Sequence, residues 1–233
     1  MIHGGPGAAG EMSPVALILA SDWGVLEPLQ TAMSLSGQID ELKNTLAENG
    51  QPPLTLVGYS WGAWLSFMVA AYYPALVRKL ILVSSGPFTD EYAAQIQNTR
   101  LSRLDTQEQE EVKVASFARC GELFSKADAF DPLPGSLSGI AVNGEIFNRV
   151  WPEAATLRKS GKLLALAQQI QCPVVALHGD YDPHPSEGIQ KPLSAILKDF
   201  RFHLLQRCGH KPWLEKQARD KFFTILQDEL NNE

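Results

Sequence analysis

The sequence lacks several features that would restrict its class. It has only three cysteines, Cys120, Cys172 and Cys208, too few and too far apart for a disulfide framework. No apolar run approaches the roughly 20 residues of a membrane helix. The first residues lack the basic segment and apolar run of a signal peptide. We therefore expect a cytoplasmic protein with reduced thiols and no membrane association.

Blocks of lysine and arginine are also missing, and the formal net charge is -6. This balance argues against a nucleic-acid partner. The sequence has no CxxC, no HExxH and no His/Cys cluster with metal-ligand spacing, so we predict no metal and no cofactor. Its 233 residues, 45% hydrophobic and 20% charged, suit one large globular domain or one domain carrying an insertion.

Short apolar runs alternate with segments of helical spacing. This alternation predicts a mostly parallel α/β sheet flanked by helices. The predicted strands are 54–58, 79–87, 172–180 and 200–210, and the predicted helices are about 34–48, 61–73, 187–198 and 212–230.

The middle of the chain departs from this rhythm. Residues 88–165 are first Gln/Glu/Arg-rich and helical, then punctuated by proline and glycine, then helical again. We predict that they form a helical cap inserted above the sheet. The core domain then comprises residues 1–87 and 166–233.

One motif carries the chemistry. GYSWG, residues 58–62, matches the G-x-S-x-G nucleophile elbow and lies between a predicted strand and a predicted helix. A polar turn that matches by chance is the alternative. In the elbow interpretation Ser60 is the nucleophile, and the flanking glycines avoid clashes between strand and helix.

A serine nucleophile needs a base and an orienting acid. Of the five histidines, His210 is the best base, because it follows Gly209 in the loop after the last strand. The loop after the preceding strand, HGDYDP, offers Asp180 and Asp182 as the acid. With Asp182 the chain order is Ser60, acid, histidine, as expected for one hydrolase architecture.

A glycine-rich segment, HGGPG at residues 3–7, supplies candidate oxyanion donors. Such a loop lets backbone N–H groups approach an oxyanion closely. We predict that Gly5 and the N–H of Trp61 form this donor pair.

These motifs together resemble the α/β-hydrolases, and among them the proline iminopeptidases and their relatives. The resemblance rests on HGGPG, G-x-S-W-G, the Gly179–Asp182 spacing and the final C-G-H, and it covers nearly the whole chain. It implies that the acid is Asp182, that Asp180 orders its loop, and that residues 88–165 correspond to the family's helical cap.

The N-terminal part departs from the family pattern. In the family HGGPG follows a central strand with further strands before it, whereas only Met1 and Ile2 precede it here. We expect a poorly anchored oxyanion loop and N-terminal strands that are missing. Three explanations are open: a shortened sheet, a partner chain covering the exposed edge as in a homodimer, or a segment of a longer protein. The family's next strand is replaced by residues 23–34, with a predicted strand GVLEP ending at Glu27.

The resemblance also implies carboxylates that hold a substrate's free amine. The candidates are Glu27, Glu122, Glu145 and Glu153, each of which is otherwise a solvated surface acid. Aromatic residues could line an apolar pocket, with Trp151 the substrate-binding candidate and core packing the alternative for Trp64 and Phe147. Further aromatic candidates are Trp61 and Phe88.

The sequence therefore predicts a serine hydrolase acting on a small-molecule or short-peptide substrate. Removal of an N-terminal proline or similar residue is the leading hypothesis, and a carboxylesterase is the runner-up. A catalytically silent binding protein with the same fold is the competing class.

Overall fold

The computed structural model describes residues 1–136 and 142–232. Within them, a parallel sheet has the order β1-β2-β3-β4. The strands are β1 Leu54–Tyr59, β2 Val77–Val83, β3 Val174–Gly179 and β4 Phe200–Leu205. The predicted strands and their parallel arrangement are confirmed, although β2 and β4 end several residues before the predicted limits.

The α-helices flank this sheet and fill the segment between β2 and β3. They are α1 Ser13–Leu19, α2 Leu35–Asn49, α3 Trp61–Tyr72, α4 Asp90–Ser102, α5 Thr106–Val112, α6 Phe117–Ala127, α7 Gly144–Lys159, α8 Lys162–Ala165, α9 Glu187–Ser194 and α10 Arg219–Asn231. Three short 3₁₀ turns are Pro74–Leu76, Leu166–Gln169 and Pro212–Leu214.

Strands β1, β2 and β3 are buried on both faces, which explains why they are mainly apolar runs. The edge strand β4 alternates apolar and polar residues and is partly exposed. One face packs against α2, α3 and α7 through Leu56, Leu80, Leu82, Val174 and Ala176. The opposite face packs against α1 and α10 through Val57, Ile81, Val83, Val175 and Leu177. Helices α1, α2, α3, α7 and α10 therefore lie against one sheet, whose carboxyl edge carries the predicted functional loops.

Two predictions about local structure were wrong. GVLEP forms no strand; Glu27 instead accepts hydrogen bonds from Met12 N (3.1 Å) and Ser13 Oγ (2.6 Å) at the start of α1. The last helix begins at Arg219 rather than near residue 212. The reason is that Glu215 is extended and bridges to Pro132 in an antiparallel pair, which interrupts the helix.

The segment 88–165 contains helices α4 to α8, as its sequence predicts, and residues 137–141 within it lie outside the described part of the chain. It is tied to the core at several points: Asn143 N donates to Gly7 O (2.9 Å), and Leu35 N donates to Glu153 Oε2 (3.0 Å). Where the chain divides into cap and core remains a prediction. Among the described helices, none has both the length and the apolarity needed to span a bilayer.

Candidate active site

Ser60 occupies a sharp turn between β1 and α3. Its φ of 52° and ψ of -115° are unusual for a residue with a side chain. Glycine is required on both sides of the turn: a Cβ on Gly58 would lie 2.3 Å from Gly62 O, and a Cβ on Gly62 would lie 2.2 Å from Ile2 O. The sequence pattern thus has a steric cause, and it leaves the Ser60 hydroxyl partly accessible at the sheet edge.

Three loops bring their polar side chains together at this edge. His210 Nε2 is 3.1 Å from Ser60 Oγ, and His210 Nδ1 is 2.7 Å from Asp182 Oδ2. Asp182 and His210 are buried. Because a carboxylate only accepts hydrogen bonds, His210 donates from Nδ1, which leaves Nε2 free to accept the Ser60 proton. The three residues predicted from the motifs thus form one hydrogen-bonded chain.

The loop that carries His210 is held from two directions. Asp180 Oδ1 accepts from Cys208 N (3.1 Å), the ordering contact that the resemblance implies for this residue. From the other side, Asp128 O accepts from His210 N (2.9 Å). Gly179 permits close approach, since a Cβ there would lie 2.1 Å from Cys208 O.

The electrostatics favour an ionised acid. Burial raises the pKa of Asp182, but the imidazoles of His210, His178 and His184 outweigh burial and hold its pKa well below the usual value. Burial lowers the pKa of both His178 and His184, the latter to about 4. At neutral pH Asp182 is therefore an anion, and the imidazoles of His178 and His184 beside it are neutral.

A cavity of about 650 Å³ opens over Ser60 and His210. Its wall is largely apolar and comes from the loop after HGGPG, from α6, from α7 and from the last loop. Apolar lining residues are Ala8, Tyr59, Phe117, Ala118, Phe124, Ala129, Pro132, Val142, Phe147 and Leu214. Its size suits a small ligand rather than a protein surface.

Acidic side chains on the cavity wall already have partners. Asp128 accepts from Arg100 Nε (2.8 Å) and Nη2 (2.6 Å), and Glu11 lies 2.9 Å from Lys211 Nζ. Glu215 accepts from the backbone N–H groups of Phe130 (2.8 Å), Asp131 (2.8 Å) and Gly209 (3.0 Å). Glu122 also lines the cavity and pairs with Arg119 at 2.9 Å.

The HGGPG loop is anchored better than its sequence position suggests. Ile2 N donates to Val57 O (2.8 Å), and Tyr59 N donates to Ile2 O (3.0 Å), so Ile2 pairs in parallel with β1. Gln30 Nε2 donates to His3 O (2.8 Å), and Gln30 Oε1 accepts from Trp61 Nε1 (2.9 Å). The expectation of a poorly anchored loop was wrong, because this buried glutamine ties the loop to the elbow helix.

Of the two predicted oxyanion donors, Gly5 lines the same cavity as Ser60, and Trp61 follows Ser60 in the chain. Gly5 lines the cavity with a φ of 108°, and a Cβ there would lie 2.6 Å from Gly7 N, so only glycine allows this turn. Trp61 is the first residue of α3, where backbone N–H groups have no acceptor within the helix. The positive end of the α3 dipole therefore points toward the reacting hydroxyl.

The predicted substrate-binding residues are not gathered at the cavity. Glu27 accepts hydrogen bonds at the start of α1. Glu145 is exposed and pairs with Arg149 at 3.2 Å. Trp151 stacks on Trp64 and Phe147. None of these three candidates lines the described cavity, whereas Phe147 does. The sequence offered no spacing that would separate the lining residues from other acids and aromatics of the cap.

Sequence reasoning missed two features. His184 lies between two prolines, a context that does not indicate a role at the site, yet its Nδ1 is 2.7 Å from Asp182 Oδ1. The Arg100–Asp128 pair joins α4 to the end of α6, a contact that no local pattern could indicate. In the described part of the chain, one set of side chains has atoms close enough to hold a metal: Asp182, His184 and His210 lie within 4.8 Å of one another. Both histidines already hydrogen-bond to Asp182.

Comparison with known proteins agrees with this geometry. A family model described as the alpha/beta hydrolase fold matches residues 6–217. A comparison with curated proteins gave no match.

Solved structures with the same fold include enzymes of several kinds. VinJ has a TM-score of 0.71 at 22% identity, covering 98% of this chain and 88% of its own. A putative lipase from Acinetobacter baumannii has a TM-score of 0.67 at 17% identity, and the match covers 100% of this chain and 84% of the lipase. Proline iminopeptidase from Mycobacterium smegmatis has a TM-score of 0.65 at 15% identity, and the match covers 98% of this chain and 88% of the iminopeptidase. Identities this low establish the fold alone, so the predicted α/β-hydrolase fold is confirmed, while the iminopeptidase branch is one of several that share it. The chain belongs to the alpha/beta hydrolase family.

Proposed function

We propose that this protein is a serine hydrolase that cleaves a small ester or amide through an acyl-enzyme intermediate. One observation carries the proposal: the hydrogen-bonded chain from Ser60 Oγ through His210 to Asp182, at the floor of a cavity open to a small ligand. Nucleophile, base and orienting acid are the minimum set for this chemistry.

The reaction follows from the arrangement. Ser60 Oγ attacks the carbonyl carbon while His210 Nε2 takes the hydroxyl proton, and Asp182 stabilises the resulting imidazolium. The N–H groups of Gly5 and Trp61 donate to the oxyanion. Collapse breaks the bond to the leaving group, which receives the proton from His210. Water then attacks the acyl-enzyme by the same steps, releasing the acid and restoring Ser60.

The cavity favours an apolar acyl group, hence an ester of a small apolar acid. An amine-bearing substrate needs a carboxylate that can pair with it, but Asp128, Glu11 and Glu215 already hold Arg100, Lys211 and backbone donors. Binding an amine would require one of these contacts to break. We therefore place the carboxylesterase reaction first.

Removal of an N-terminal proline or similar residue is the second candidate. Four acids line the cavity, against two permanently charged bases, Arg100 and Lys211; the acids are Glu11, Glu122, Asp128 and Glu215. This excess of negative charge attracts a protonated amine, even though each acid is engaged.

Two measurements test these assignments. A fluorophosphonate probe should label the wild-type protein on Ser60 and leave Ser60→Ala unlabelled; equal labelling of both proteins, or none of either, would remove the serine-hydrolase proposal. Short p-nitrophenyl esters should be hydrolysed faster than prolyl p-nitroanilide. Turnover of the anilide at a higher kcat/KM than the esters would instead select the aminopeptidase.

A further inference from the structure

Asp182 accepts hydrogen bonds from two imidazoles, one on each carboxylate oxygen. His210 Nδ1 contacts Oδ2 at 2.7 Å, and His184 Nδ1 contacts Oδ1 at 2.7 Å. His184 N also donates to Oδ1 at 2.9 Å. The mechanism proposed above uses only the His210 bond, so the second imidazole has no role in it.

The position of His184 is fixed by its surroundings. It lies between Pro183 and Pro185, which restrict the backbone on both sides. Its carbonyl lies 2.7 Å from His178 Nε2, and its ring stacks on that of His210 with centroids 4.5 Å apart and planes inclined by 27°. Because the ring is buried and held on two sides, Nδ1 cannot easily leave the carboxylate.

We propose that His184 is a positioning residue for the reaction: its neutral imidazole donates from Nδ1 to Asp182 Oδ1 and so fixes the carboxylate plane for the bond to His210. This inference rests on the proposed hydrolase function. Without the Nδ1 donor, Oδ1 would keep only the backbone N–H of His184. A single donor restrains the terminal torsion of Asp182 less than two do, so Oδ2 would be less well aligned with His210. A misplaced base lowers the rate of attack without changing the cavity that binds the substrate.

The charged groups around His184 agree with a neutral donor. Asp182 and His210 contact it directly, His178 of β3 contacts its carbonyl, and Arg100 of α4 adds a positive charge nearby. Burial outweighs the attraction of Asp182 and lowers the pKa of His184 to about 4. At neutral pH the ring thus donates one hydrogen bond and adds no positive charge beside His210.

Two substitutions separate the hydrogen bond from the packing. His184→Asn places a side-chain N–H close to the position of Nδ1, so it keeps the donor and removes the stacked ring. His184→Phe keeps an aromatic ring and removes the donor. With the substrate that the wild type hydrolyses, we expect His184→Phe to lower kcat and the rate of fluorophosphonate labelling about 10- to 100-fold. A loss of this size corresponds to one hydrogen bond to a charged group. KM should change by less than about threefold, and His184→Asn should recover most of the rate.

The opposite results are equally clear. Wild-type kcat in His184→Phe, or an equal loss in both variants, would overturn the inference and leave His184 as packing. If the wild type itself is not labelled by the probe, the proposed function has failed, a result distinct from these. Should His184→Phe not fold, ¹⁵N NMR of histidine-labelled wild type decides the tautomer: a proton on Nδ1 of His184 is expected, and a neutral ring protonated on Nε2 would overturn the inference.

Discussion

Replacing Ser60 by glycine should make the protein more stable than replacing it by alanine, although both changes remove the hydroxyl. Ser60 has φ 52° and ψ -115°, a conformation that costs a residue with a Cβ about 1–3 kcal/mol. Alanine keeps this strain and glycine relieves it. Glycine also gives the unfolded chain more freedom, which costs about 0.5–1 kcal/mol. The net difference in the free energy of unfolding is then about 0–2.5 kcal/mol in favour of Ser60→Gly.

The assay is thermal unfolding of the two variants under identical conditions. For a chain of this length about 1 kcal/mol shifts Tm by about 2–4 °C, so Ser60→Gly should melt a few degrees above Ser60→Ala. Ser160 provides the matched control: it is exposed at the end of α7 with φ -79°, where alanine is not strained. There the glycine variant should be the less stable one. A Ser60→Gly protein that melts below Ser60→Ala would refute the strain argument.

Three further outcomes follow from the same geometry. Gly62→Ala should lower the free energy of unfolding by about 1–3 kcal/mol and slow probe labelling, because its Cβ would meet Ile2 O at 2.2 Å. Gly121→Ala is the control, since the space around its Cβ is open, and it should not lower the free energy of unfolding. Equal Tm values for the two variants would contradict the steric reasoning. Glu27→Ala should lower the free energy of unfolding by about 1–2 kcal/mol through its lost bonds to α1 and leave KM unchanged, whereas a raised KM would restore Glu27 as a substrate contact. The free energy of unfolding should fall as pH drops from about 6.5 towards 4, because His184 takes up a proton in the unfolded chain but stays neutral when buried in the fold. His184 alone accounts for a loss of about 3 kcal/mol over this range. Tm should therefore depend less on pH in His184→Asn, and an unchanged slope would contradict this.

The parts of the site that follow from local rules could be predicted from the sequence. The elbow at Ser60 needs a strand, glycines and a helix in succession, and all of these leave a local signature. The loops of Asp182 and His210 follow parallel strands whose carboxyl ends meet at one edge, so their order along the chain was enough to place them together.

The parts that depend on distant contacts could not be predicted. Gln30 ties His3 to Trp61 across 27 and 31 positions of the chain, and glutamine in an irregular segment carries no signal for that role. GVLEP has the apolar composition of a strand, yet its Glu27 accepts hydrogen bonds from Met12 N and Ser13 Oγ at the start of α1. Tertiary hydrogen bonds outweighed β propensity there.

The short stretch 128–131 at the end of α6 connects the cap segment to the loop of His210. The carboxylate of Asp128 holds Arg100 of α4, while its carbonyl accepts the N–H of His210. Two and three residues further on, the backbone N–H groups of Phe130 and Asp131 donate to the buried Glu215. A shift of α6 relative to the sheet would therefore strain the same loop that aligns His210 with Ser60. Because Asp128 and Glu215 also line the cavity, we expect the alignment of His210 with Ser60 to depend on where α6 lies.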